Sequence, residues 1–504
     1  MVTRRPRTRR EVGRIHQAPF GQVERRLAPL EILSADEVER IHDTALAILE
    51  RIGIRVLEPG ARDRFRRAGA QVTGDMVHFP PGMIAEHLRS VPHEFTLIAR
   101  NPARNLRFGG GWHVFASVGG PAYVMDNDGG RRDGTHAEMC DFLRLVQALD
   151  IIHQEGGGPF EPLDLPAHSR HLDIYLAEIT LLDKNWQTQT LGRARTMDGI
   201  EMAALGLGLS VDDLVRTPAL LGIINTNSPL QIDIPMGEGL VAMAEHGQVN
   251  VITPFTLAGA MSPVTLAGAL AQQHAEAMAG IVLTQIVRPG VPVMYGGFTS
   301  NVDMRSGAPA FGTPEYVKAA LASGQLARRI GVPFRSSNVC AANEVDAQAA
   351  YESQMALWGA LTGGAHLVEH AAGWLHGGLT ASFEKLILDA EMLAMMEEVL
   401  RPVPVTAETL AFDALQEVGP GGHFFGTAHT MARYETAFHA PMLSNWENHP
   451  QWLENGAVQA RERANVLWKR ILAEHEDPPF DPARREALED YVARRKAEGG
   501  APMT

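Results

Sequence analysis

One stretch of the chain, Val291-Pro292-Val293-Met294-Tyr295-Gly296-Gly297-Phe298, shows the pattern that recurs along most of the sequence. Its first five residues are apolar and partly β-branched, which is typical of a buried strand, and the two glycines indicate a loop. Amphipathic stretches before it, at 263–287, and after it, at 314–329, predict helices. The local unit is therefore a buried strand between two helices.

The same unit recurs from about Trp112 onward. The predicted strands are 113–117, 151–155, 186–191, 220–225, 250–254, 291–295, 332–337 and 366–370. The predicted helices are 135–149, 168–182, 197–207, 236–245, 263–287, 314–329, 347–361 and 382–400. Eight strands, each followed by a helix, predict an α/β fold, a (β/α)8 TIM barrel. An open doubly wound sheet is the alternative, but no Gly-x-Gly-x-x-Gly turn opens the first unit.

Three other regions flank this predicted barrel, which spans 111–402. Residues 1–33 form a basic N-terminal arm, and 34–110 read as an N-terminal α+β subdomain that begins with a capping box at Ser34 and Glu37. Residues 403–504 read as an irregular segment followed by C-terminal helices at 446–476 and 482–496, packed on the barrel or on a partner subunit.

Composition narrows the class of protein. The 504 residues are 45% hydrophobic and 21% charged, as in soluble globular proteins, and the longest apolar runs are far shorter than the roughly 20 residues of a membrane span. Cys140 and Cys340 are the only cysteines, so a disulfide framework is excluded and a reducing cytoplasm is expected.

The charge is unevenly distributed. The net charge is −14, but residues 1–30 carry +6 and the remainder −20. We expect the basic arm to dock on an acidic neighbouring subunit in a homo-oligomer. Nucleic-acid binding is disfavoured, because the rest of the chain would repel phosphate and the arm lacks interleaved aromatic residues.

The loops after the predicted strands should line any active site of such a barrel. They offer aromatic rings, at Phe255, Tyr295, Phe298 and Trp374, and carboxylates, at Glu155, Glu344, Asp346 and Glu369. Rings and anions together suit a small cation, although the rings could equally pack the loops together. A phosphate site is disfavoured, since Arg305 is the only basic side chain after strands four to eight, besides Arg335 within the seventh strand.

Metal and nucleophile motifs are weak. His370 and His376 with Glu369 could ligate a metal, but no His-Glu-x-x-His or similar spacing is present, so no bound metal is predicted. No Gly-x-Ser-x-Gly occurs, and Cys340 reads as a packing residue.

Several long segments resemble one family. They are 120–122, 257–268 (Leu-Ala-Gly-Ala-Met-Ser-Pro-Val-Thr-Leu-Ala-Gly), 288–296, 346–352 (Asp-Ala-Gln-Ala-Ala-Tyr-Glu), 370–375 and 378–382. In these segments the sequence resembles the trimethylamine methyltransferase family, the corrinoid-dependent amine methyltransferases that include glycine betaine methyltransferases. The resemblance implies a (β/α)8 barrel and transfer of a methyl group from a methylated amine to the cob(I)alamin of a separate corrinoid-binding protein. The cobalamin would be carried by that partner.

The sequence departs from the family at one position. The founding members carry pyrrolysine just before the Asp-Ala-Gln pattern, at about Asn343, where this chain has Ala341-Ala342-Asn343-Glu344-Val345. A quaternary amine already carries the charge that makes its nitrogen a leaving group, so the substitution implies a quaternary donor such as glycine betaine. Carnitine, proline betaine or another methylated compound remain open.

The resemblance also suggests roles for individual residues. Tyr295, Phe298 and Trp374 would box the trimethylammonium head, with Glu344 or Glu369 as the balancing charge. The predicted catalytic residues are Asn343, Glu344 and Glu369. Polar contacts to the substrate, including its carboxylate, are expected from Asn227, Asn301, Asn343, Gln348, His370 and His376. Two other functions remain open: a non-catalytic barrel that binds a betaine or other cation, and a metal-assisted hydrolase or lyase.

Overall fold

A computed structural model describes residues 15–502 of the chain. The strands are β1 (Ile54–Val56), β2 (Gln71–Thr73), β3 (Met76–His78), β4 (Phe95–Leu97), β5 (Leu106–Phe108), β6 (Val114–Ser117), β7 (Tyr123–Asp126), β8 (Gly130–Asp133), β9 (Leu221–Ile224), β10 (Gln231–Ile232), β11 (Val249–Ile252), β12 (Leu257–Ala258), β13 (Val293–Gly296), β14 (Ser300–Val302), β15 (Pro309–Ala310), β16 (Phe334–Ser337), β17 (Leu367–Ala372), β18 (Trp374–Leu375) and β19 (Thr380–Ser382).

The helices are α1 (Ala35–Ala47), α2 (Pro59–Arg67), α3 (Met83–Leu88), α4 (His136–Ala148), α5 (Arg170–Leu181), α6 (Arg193–Leu207), α7 (Val211–Leu214), α8 (Ile234–Glu245), α9 (Leu266–Val287), α10 (Pro314–Arg329), α11 (Ala347–Gly363), α12 (Phe383–Leu400), α13 (Ala407–Leu410), α14 (Phe412–Val418), α15 (Ala428–Met431), α16 (His449–Glu454), α17 (Ala460–Glu474) and α18 (Pro482–Ala497). A π-helical turn, Ile48–Ile52, continues α1. Within residues 15–502 no helix is long and apolar enough to cross a bilayer.

The central feature is a six-stranded parallel sheet with the strand order β6-β17-β16-β13-β11-β9. Each of these strands lies at a position predicted from the sequence. The helices predicted between them are all present, as α4, α5, α6, α8, α9, α10, α11 and α12. Local signals fix several helix starts: Thr135 and Glu138 form a capping box on α4, and the Asp346 carboxylate accepts two backbone N–H bonds at the start of α11.

The predicted strands at 151–155 and 186–191 are not regular strands in the structure. Isolated parallel bridges join Ala116 to Gln154, Gln154 to Asn185, and Gln187 to Leu221. One physical reason is that a side chain, rather than a neighbouring strand, bonds to a backbone carbonyl here. The carbonyl of Ile152 accepts a hydrogen bond from Lys184 Nζ at 2.8 Å. That carbonyl is therefore not part of a strand ladder.

The two faces of the parallel sheet have different partners. The face that we call inner carries the first residues of the strands, Val114, Leu221, Val249 and Leu367, which cluster with Phe108 and other apolar residues of the β4–β5 hairpin. The outer face packs against the helices of the main core. Since the hairpin covers the amino ends of the strands, the carboxyl ends of the inner face are where a site can form.

Residues outside the parallel sheet also pack on this chain. In the segment 15–33, the Gln17 side chain donates to the Ala148 carbonyl at 2.8 Å, and Arg25 Nη1 donates to the Leu361 carbonyl at 2.9 Å. Strand β1 pairs with β3 and with β10, so the predicted N-terminal subdomain shares its small sheet with a segment of the predicted barrel. The rest of the predicted basic arm, residues 1–14, lies outside the described residues.

The C-terminal helices pack on the chain's own helices. Helix α17 contacts α12 and α4, while α18 contacts α6 and α5. The Asp198 carboxylate in α6 anchors α18 through hydrogen bonds from Tyr491 Oη at 2.8 Å and Arg495 Nε at 2.6 Å. Both C-terminal helices therefore contact helices of the same chain.

Candidate active site

A layer of polar side chains occupies the inner face of the sheet toward its carboxyl end. Residues paired in register across parallel strands point to the same face. Arg335 pairs with Leu367, and Ser337 pairs with Glu369, so these polar side chains share the face of the apolar cluster. Gln154 and Gln187 lie on the same face, because their parallel bridges pair them with Ala116 and Leu221 of the apolar cluster. All these polar side chains are buried.

Glu369 is held by an amide rather than by a cation. Gln187 Nε2 donates to both carboxylate oxygens of Glu369, at 3.0 Å each. Burial raises the pKa of Glu369 to about 7, while Arg335 and the Gln187 amide oppose that rise. Near neutral pH this carboxyl group therefore exchanges between its protonated and ionised forms.

Arg335 lies beside this carboxyl group with unused donors. Its side chain is 2% exposed, and its Nε and Nη1 atoms have no hydrogen-bond partner within residues 15–502. The guanidinium carbon lies 5.2 Å from the centroid of the Phe298 ring. Both polar atoms of the Gln154 amide are likewise buried without a partner in that part of the chain. Buried polar groups normally find partners, so this layer has the chemistry of a ligand site.

Aromatic rings cover the same end of the sheet. The Phe298 centroid lies 5.2 Å from Phe255, 5.9 Å from Phe311 and 6.3 Å from Trp374, and the Trp374 centroid lies 4.4 Å from the His370 ring. We call these five residues the ring cluster. They come from the loops after β11, β13 and β15, and from β17 and β18.

A glycine allows the ring cluster to close tightly. Gly378 has a φ of +95°, and a Cβ atom built on it would lie 2.4 Å from the Trp374 ring. Only glycine adopts this conformation and allows this approach at low cost. The Gly377-Gly378 turn is therefore part of what positions Trp374.

His370 contributes a neutral ring. Burial lowers the pKa of His370 well below its usual value, and the nearby Arg335 charge lowers it further. Its Nδ1 faces the backbone N–H of Gly119 at 3.4 Å, as an acceptor would. His370 thus lies next to Trp374 as an uncharged aromatic side chain.

Tyr295 was predicted to line the site but lies on the other face of the sheet. Its register partner is Phe334, and both belong to the outer core. The Tyr295 hydroxyl meets Gln273 Nε2 at 3.0 Å and His274 Nδ1 at 3.2 Å, both on helix α9. The ring cluster therefore includes Phe298 but not Tyr295.

Glu344 and Asn343, two of the predicted catalytic residues, are exposed. Glu344 pairs with Arg461 of α17 at 3.0 Å, and this ion pair lies outside the ring cluster. The Asn343 carbonyl faces His376 Nε2 at 2.8 Å, while His376 Nδ1 lies 2.8 Å from Thr380 Oγ1. Both nitrogens of His376 are thus engaged in positioning its own loop.

The predicted carboxylate-binding amides are engaged in local contacts. Asn227 exchanges two hydrogen bonds with Asp233, each at 3.0 Å. Asn301 Oδ1 accepts from Thr313 Oγ1 at 3.1 Å, and Gln348 Nε2 donates to Glu352 at 2.8 Å. The structure does not bring these three side chains together around one ligand.

Glu155, the carboxylate predicted at the rim, is held by backbone groups of its own loop. It follows Gln154 by one residue, and its carboxylate accepts the backbone N–H groups of Gly157 and Gly158 at 2.7 Å each. Burial raises the pKa of Glu155 to about 7. Burial and the neighbouring Glu155 raise the pKa of Glu178 as well, so the two share a buried acidic contact.

The site also contains residues that sequence reasoning did not select. Gln154, Gln187 and Arg335 lie inside predicted strands, and Phe311 lies in a loop. A polar residue within a predicted buried strand could have identified them as site residues. The clearest case is Arg335 in Phe334-Arg335-Ser336-Ser337. A charged residue in such a strand is rarely buried without a purpose.

No group of three or more His, Cys, Asp or Glu side chains within 15–502 is arranged to hold a metal ion. The two cysteines are unpaired. Burial raises the pKa of Cys340 to about 11, and its thiol donates to the Trp374 carbonyl at 3.2 Å. Cys340 therefore packs behind the ring cluster as a thiol.

Comparison with known proteins places this geometry in a family. Residues 2–500 match the family model of trimethylamine methyltransferase (MTTB). The chain belongs to the trimethylamine methyltransferase family. It is a methyltransferase with the ring cluster and the polar layer at the carboxyl end of its parallel sheet.

Three relatives show the breadth of this family. A glycine betaine methyltransferase of Desulfitobacterium hafniense is 37% identical, covering 94% of this chain and 99% of the relative. The trimethylamine methyltransferase MttB of another strain of that species is 27% identical, covering 93% and 94%. A proline betaine:corrinoid methyltransferase of Eubacterium limosum is 26% identical, covering 91% and 96%.

One solved structure has a similar fold. A crystal structure of a hydroxylamine MtmB complex aligns with a TM-score of 0.51 at 11% identity, covering 92% of this chain and 89% of that one. The similarity supports the mixed α/β architecture described above.

Proposed function

We propose that the protein transfers a methyl group from a quaternary amine, with glycine betaine as the first candidate, to the cob(I)alamin of a separate corrinoid protein. Two relatives are named for methyl transfer from betaines, and one of these names includes the corrinoid acceptor. The observation that carries the proposal is the ring cluster at the carboxyl end of the sheet, which contacts Arg335, the cation whose charge acts on the Glu369 carboxyl group.

The ring cluster suits a trimethylammonium head. Phe298, Phe311 and Trp374 have centroids 5.9 to 6.3 Å apart. Aromatic faces attract a desolvated ammonium by roughly 0.5 to 2 kcal/mol each. Glu369 supplies a balancing negative charge when it is ionised, and its Gln187 partner fixes its orientation.

The proposed methyl transfer requires no general acid or base from the chain. The acceptor, the corrinoid, supplies the nucleophile. Its reduced cobalt would donate an electron pair to the methyl carbon. As the C–N bond breaks, its electron pair stays on nitrogen and leaves a neutral tertiary amine, so no proton transfer is needed. The chain's task is to orient the methyl group and exclude water, which its buried rings can do.

The corrinoid protein would dock on exposed apolar residues at the same end of the sheet. Val264, in the loop before α9, is 68% exposed, and Met304, between β14 and β15, is 71% exposed. Both lie over Gly259: a Cβ atom on that glycine would be 3.1 Å from Met304 Sδ and 3.8 Å from Val264 Cγ2. Exposed apolar groups that are contiguous mark interaction sites.

The parallel sheet would close into a complete (β/α)8 barrel over residues 111–402. The bridges through Gln154, Asn185 and Gln187 support closure, because they connect edge strand β6 to edge strand β9. Backbone hydrogen bonds run along the same path, from Ser117 N to the Gln154 carbonyl at 3.0 Å and from Glu155 N to the Asn185 carbonyl at 3.0 Å. The regions 34–110 and 403–504 would then be additions to the barrel, and a crystal structure tests this directly.

The experiment that tests the activity is methyl transfer to reduced free cobalamin. Glycine betaine, carnitine, proline betaine and trimethylamine are offered separately, and the demethylated amine is quantified. We expect turnover with a quaternary amine and none with trimethylamine. Absence of turnover with every donor, while calorimetry still shows a betaine bound, would favour a cation-binding function instead.

A further inference from the structure

Arg335 is a buried charge that the chain itself leaves incompletely satisfied. It is 2% exposed, on the inner face of β16, and its Nε and Nη1 atoms have no partner within the described residues. Burying an ionised group costs several kcal/mol unless hydrogen bonds and an opposite charge compensate. A ligand that brings both would remove this cost.

The nearest carboxyl group does not fill that role. Both oxygens of Glu369 accept from Gln187, and burial raises the pKa of Glu369 to about 7 in spite of the Arg335 charge. At neutral pH the Glu369 carboxyl group is therefore ionised in only a fraction of the molecules. The guanidinium keeps donors free for a second carboxylate.

The surroundings of Arg335 select the kind of anion. Among the inner-face polar residues described above, Arg335 is the only cation, which suits one negative charge rather than a phosphate dianion. Its guanidinium lies over the Phe298 ring, so an anion bound to Arg335 is next to the ring cluster. The unpartnered Gln154 amide on the same face can donate a further hydrogen bond.

We propose that Arg335 binds the carboxylate of the methyl donor and restricts the enzyme to ammonium carboxylates, that is, to betaines rather than to simple quaternary amines. This inference rests on the proposed function. The ring cluster takes the ammonium head and Arg335 takes the carboxylate. A cation without a carboxylate leaves Arg335 unpaired and adds a second positive charge beside it. Guanidinium and carboxylate groups match in shape and charge.

The test compares Arg335→Gln and Arg335→Lys with the wild type, using glycine betaine and choline as donors. Choline has the same trimethylammonium head but a hydroxyl group instead of the carboxylate. We expect Arg335→Gln to lower kcat/KM for glycine betaine by about a thousandfold, because buried hydrogen-bonding sites discriminate strongly against unmatched groups. Arg335→Lys should retain part of the activity, since it keeps the charge. For choline, Arg335→Gln should raise kcat/KM rather than lower it, because the substitution removes the positive charge that opposes a donor without a carboxylate.

Binding and folding are measured separately from turnover. Calorimetry without cobalamin should show weaker glycine betaine binding by Arg335→Gln, and thermal unfolding reports whether that variant folds. Arg305→Gln is the matched control, because Arg305 is an exposed arginine in the loop after β14. It should bind glycine betaine as the wild type does.

The outcomes separate the two proposals. If the wild type demethylates no quaternary amine, the proposed function fails. If the wild type uses glycine betaine and a folded Arg335→Gln binds and demethylates it equally well, only the role of Arg335 is overturned. An equal loss for choline and glycine betaine would also overturn it, since that result indicates a general structural role.

Discussion

Phe298 is in contact with both parts of the candidate site. One neighbour is the Arg335 guanidinium, 5.2 Å from its ring centroid, and others are Phe255, Phe311 and Trp374 of the ring cluster. An aromatic face is electron-rich, so it stabilises the Arg335 charge and attracts an ammonium group by the same quadrupole. Removing this ring should therefore weaken binding of the cationic head without removing the carboxylate site.

We expect Phe298→Leu to raise the KM for glycine betaine about tenfold, which corresponds to about 1.4 kcal/mol of lost ring–cation attraction. Leucine keeps most of the buried volume, so thermal unfolding should change little. The measurement is steady-state methyl transfer to free cobalamin. Phe425→Leu, which replaces a ring that is 83% exposed and lies outside the candidate site, is the control. An unchanged KM in a folded Phe298→Leu would contradict the role of the ring.

Glu369 predicts a pH dependence of stability. Its folded pKa, about 7, lies above the usual value of about 4.3 for an unfolded glutamate. Between these values the folded chain holds a proton that the unfolded chain releases, so the free energy of unfolding falls as pH rises from about 4.5 to 7. The whole effect is on the order of 3 kcal/mol, because one pKa unit corresponds to about 1.4 kcal/mol.

Glu369→Gln should lack this contribution, so its stability relative to the wild type should rise between pH 5 and 7 and level off above. Urea unfolding of both proteins at several pH values measures the difference. Glu344→Gln is the matched control, since Glu344 is an exposed carboxylate paired with Arg461. Parallel stability curves for Glu369→Gln and the wild type would contradict the raised pKa.

The sequence could indicate the chemistry of the site but not the direction in which each side chain points. Tyr295 and Phe298 stand three residues apart, and only the register of β13 shows that Tyr295 faces helix α9. Arg335 stands within a strand, and whether such a residue is inward or outward depends on its partners in neighbouring strands. Loop residues such as Glu344 follow contacts with distant helices, which local patterns do not encode.

At the level of elements, the helices were more predictable than the strands. Helix starts depend on local signals, and the capping box predicted at Ser34 and Glu37 is present at the start of α1. The segments around Gln154 and Asn185 are apolar enough to suggest strands. In the folded chain, however, Lys184 Nζ donates hydrogen bonds to the backbone carbonyls of Val146, Leu149 and Ile152. Contacts of this kind form only in the folded chain.

The loop between β14 and β15 gives a prediction about the protein partner. Met304→Glu places a charge in the exposed apolar surface over Gly259, and we expect it to lower the rate of methyl transfer to the corrinoid protein by at least tenfold. Transfer to free cobalamin should be unchanged, because the ring cluster is intact. The two rates are measured side by side.

Met395→Glu is the control for this experiment, as Met395 is an exposed methionine on helix α12. Its rates with both acceptors should match the wild type. If Met304→Glu and the wild type transfer methyl groups to the corrinoid protein at equal rates, the docking surface lies elsewhere. A loss with free cobalamin as well would indicate damage to the active site.

For the whole molecule, the apolar surface is concentrated in one segment. Residues 403–458 expose large side chains, including Phe425 at 83%, Phe438 at 85% and Trp446 at 73%. By contrast, the two C-terminal helices after it are packed on the chain's own α4, α5, α6 and α12. We therefore infer oligomerisation from the exposed segment 403–458 rather than from the C-terminal helices or the basic arm.

We expect sedimentation at micromolar concentration to give a mass at least twice the 54.8 kDa of one chain, because isolated proteins rarely expose so many large apolar groups together. The double variant Phe425→Glu with Phe438→Glu should sediment as a monomer, since burying two added charges opposes association. Ile52→Glu changes an exposed apolar residue in the N-terminal region and should keep the wild-type mass. A wild-type monomer would leave the corrinoid protein as the partner that covers this segment, and the double variant would then lose transfer to that protein while retaining transfer to free cobalamin.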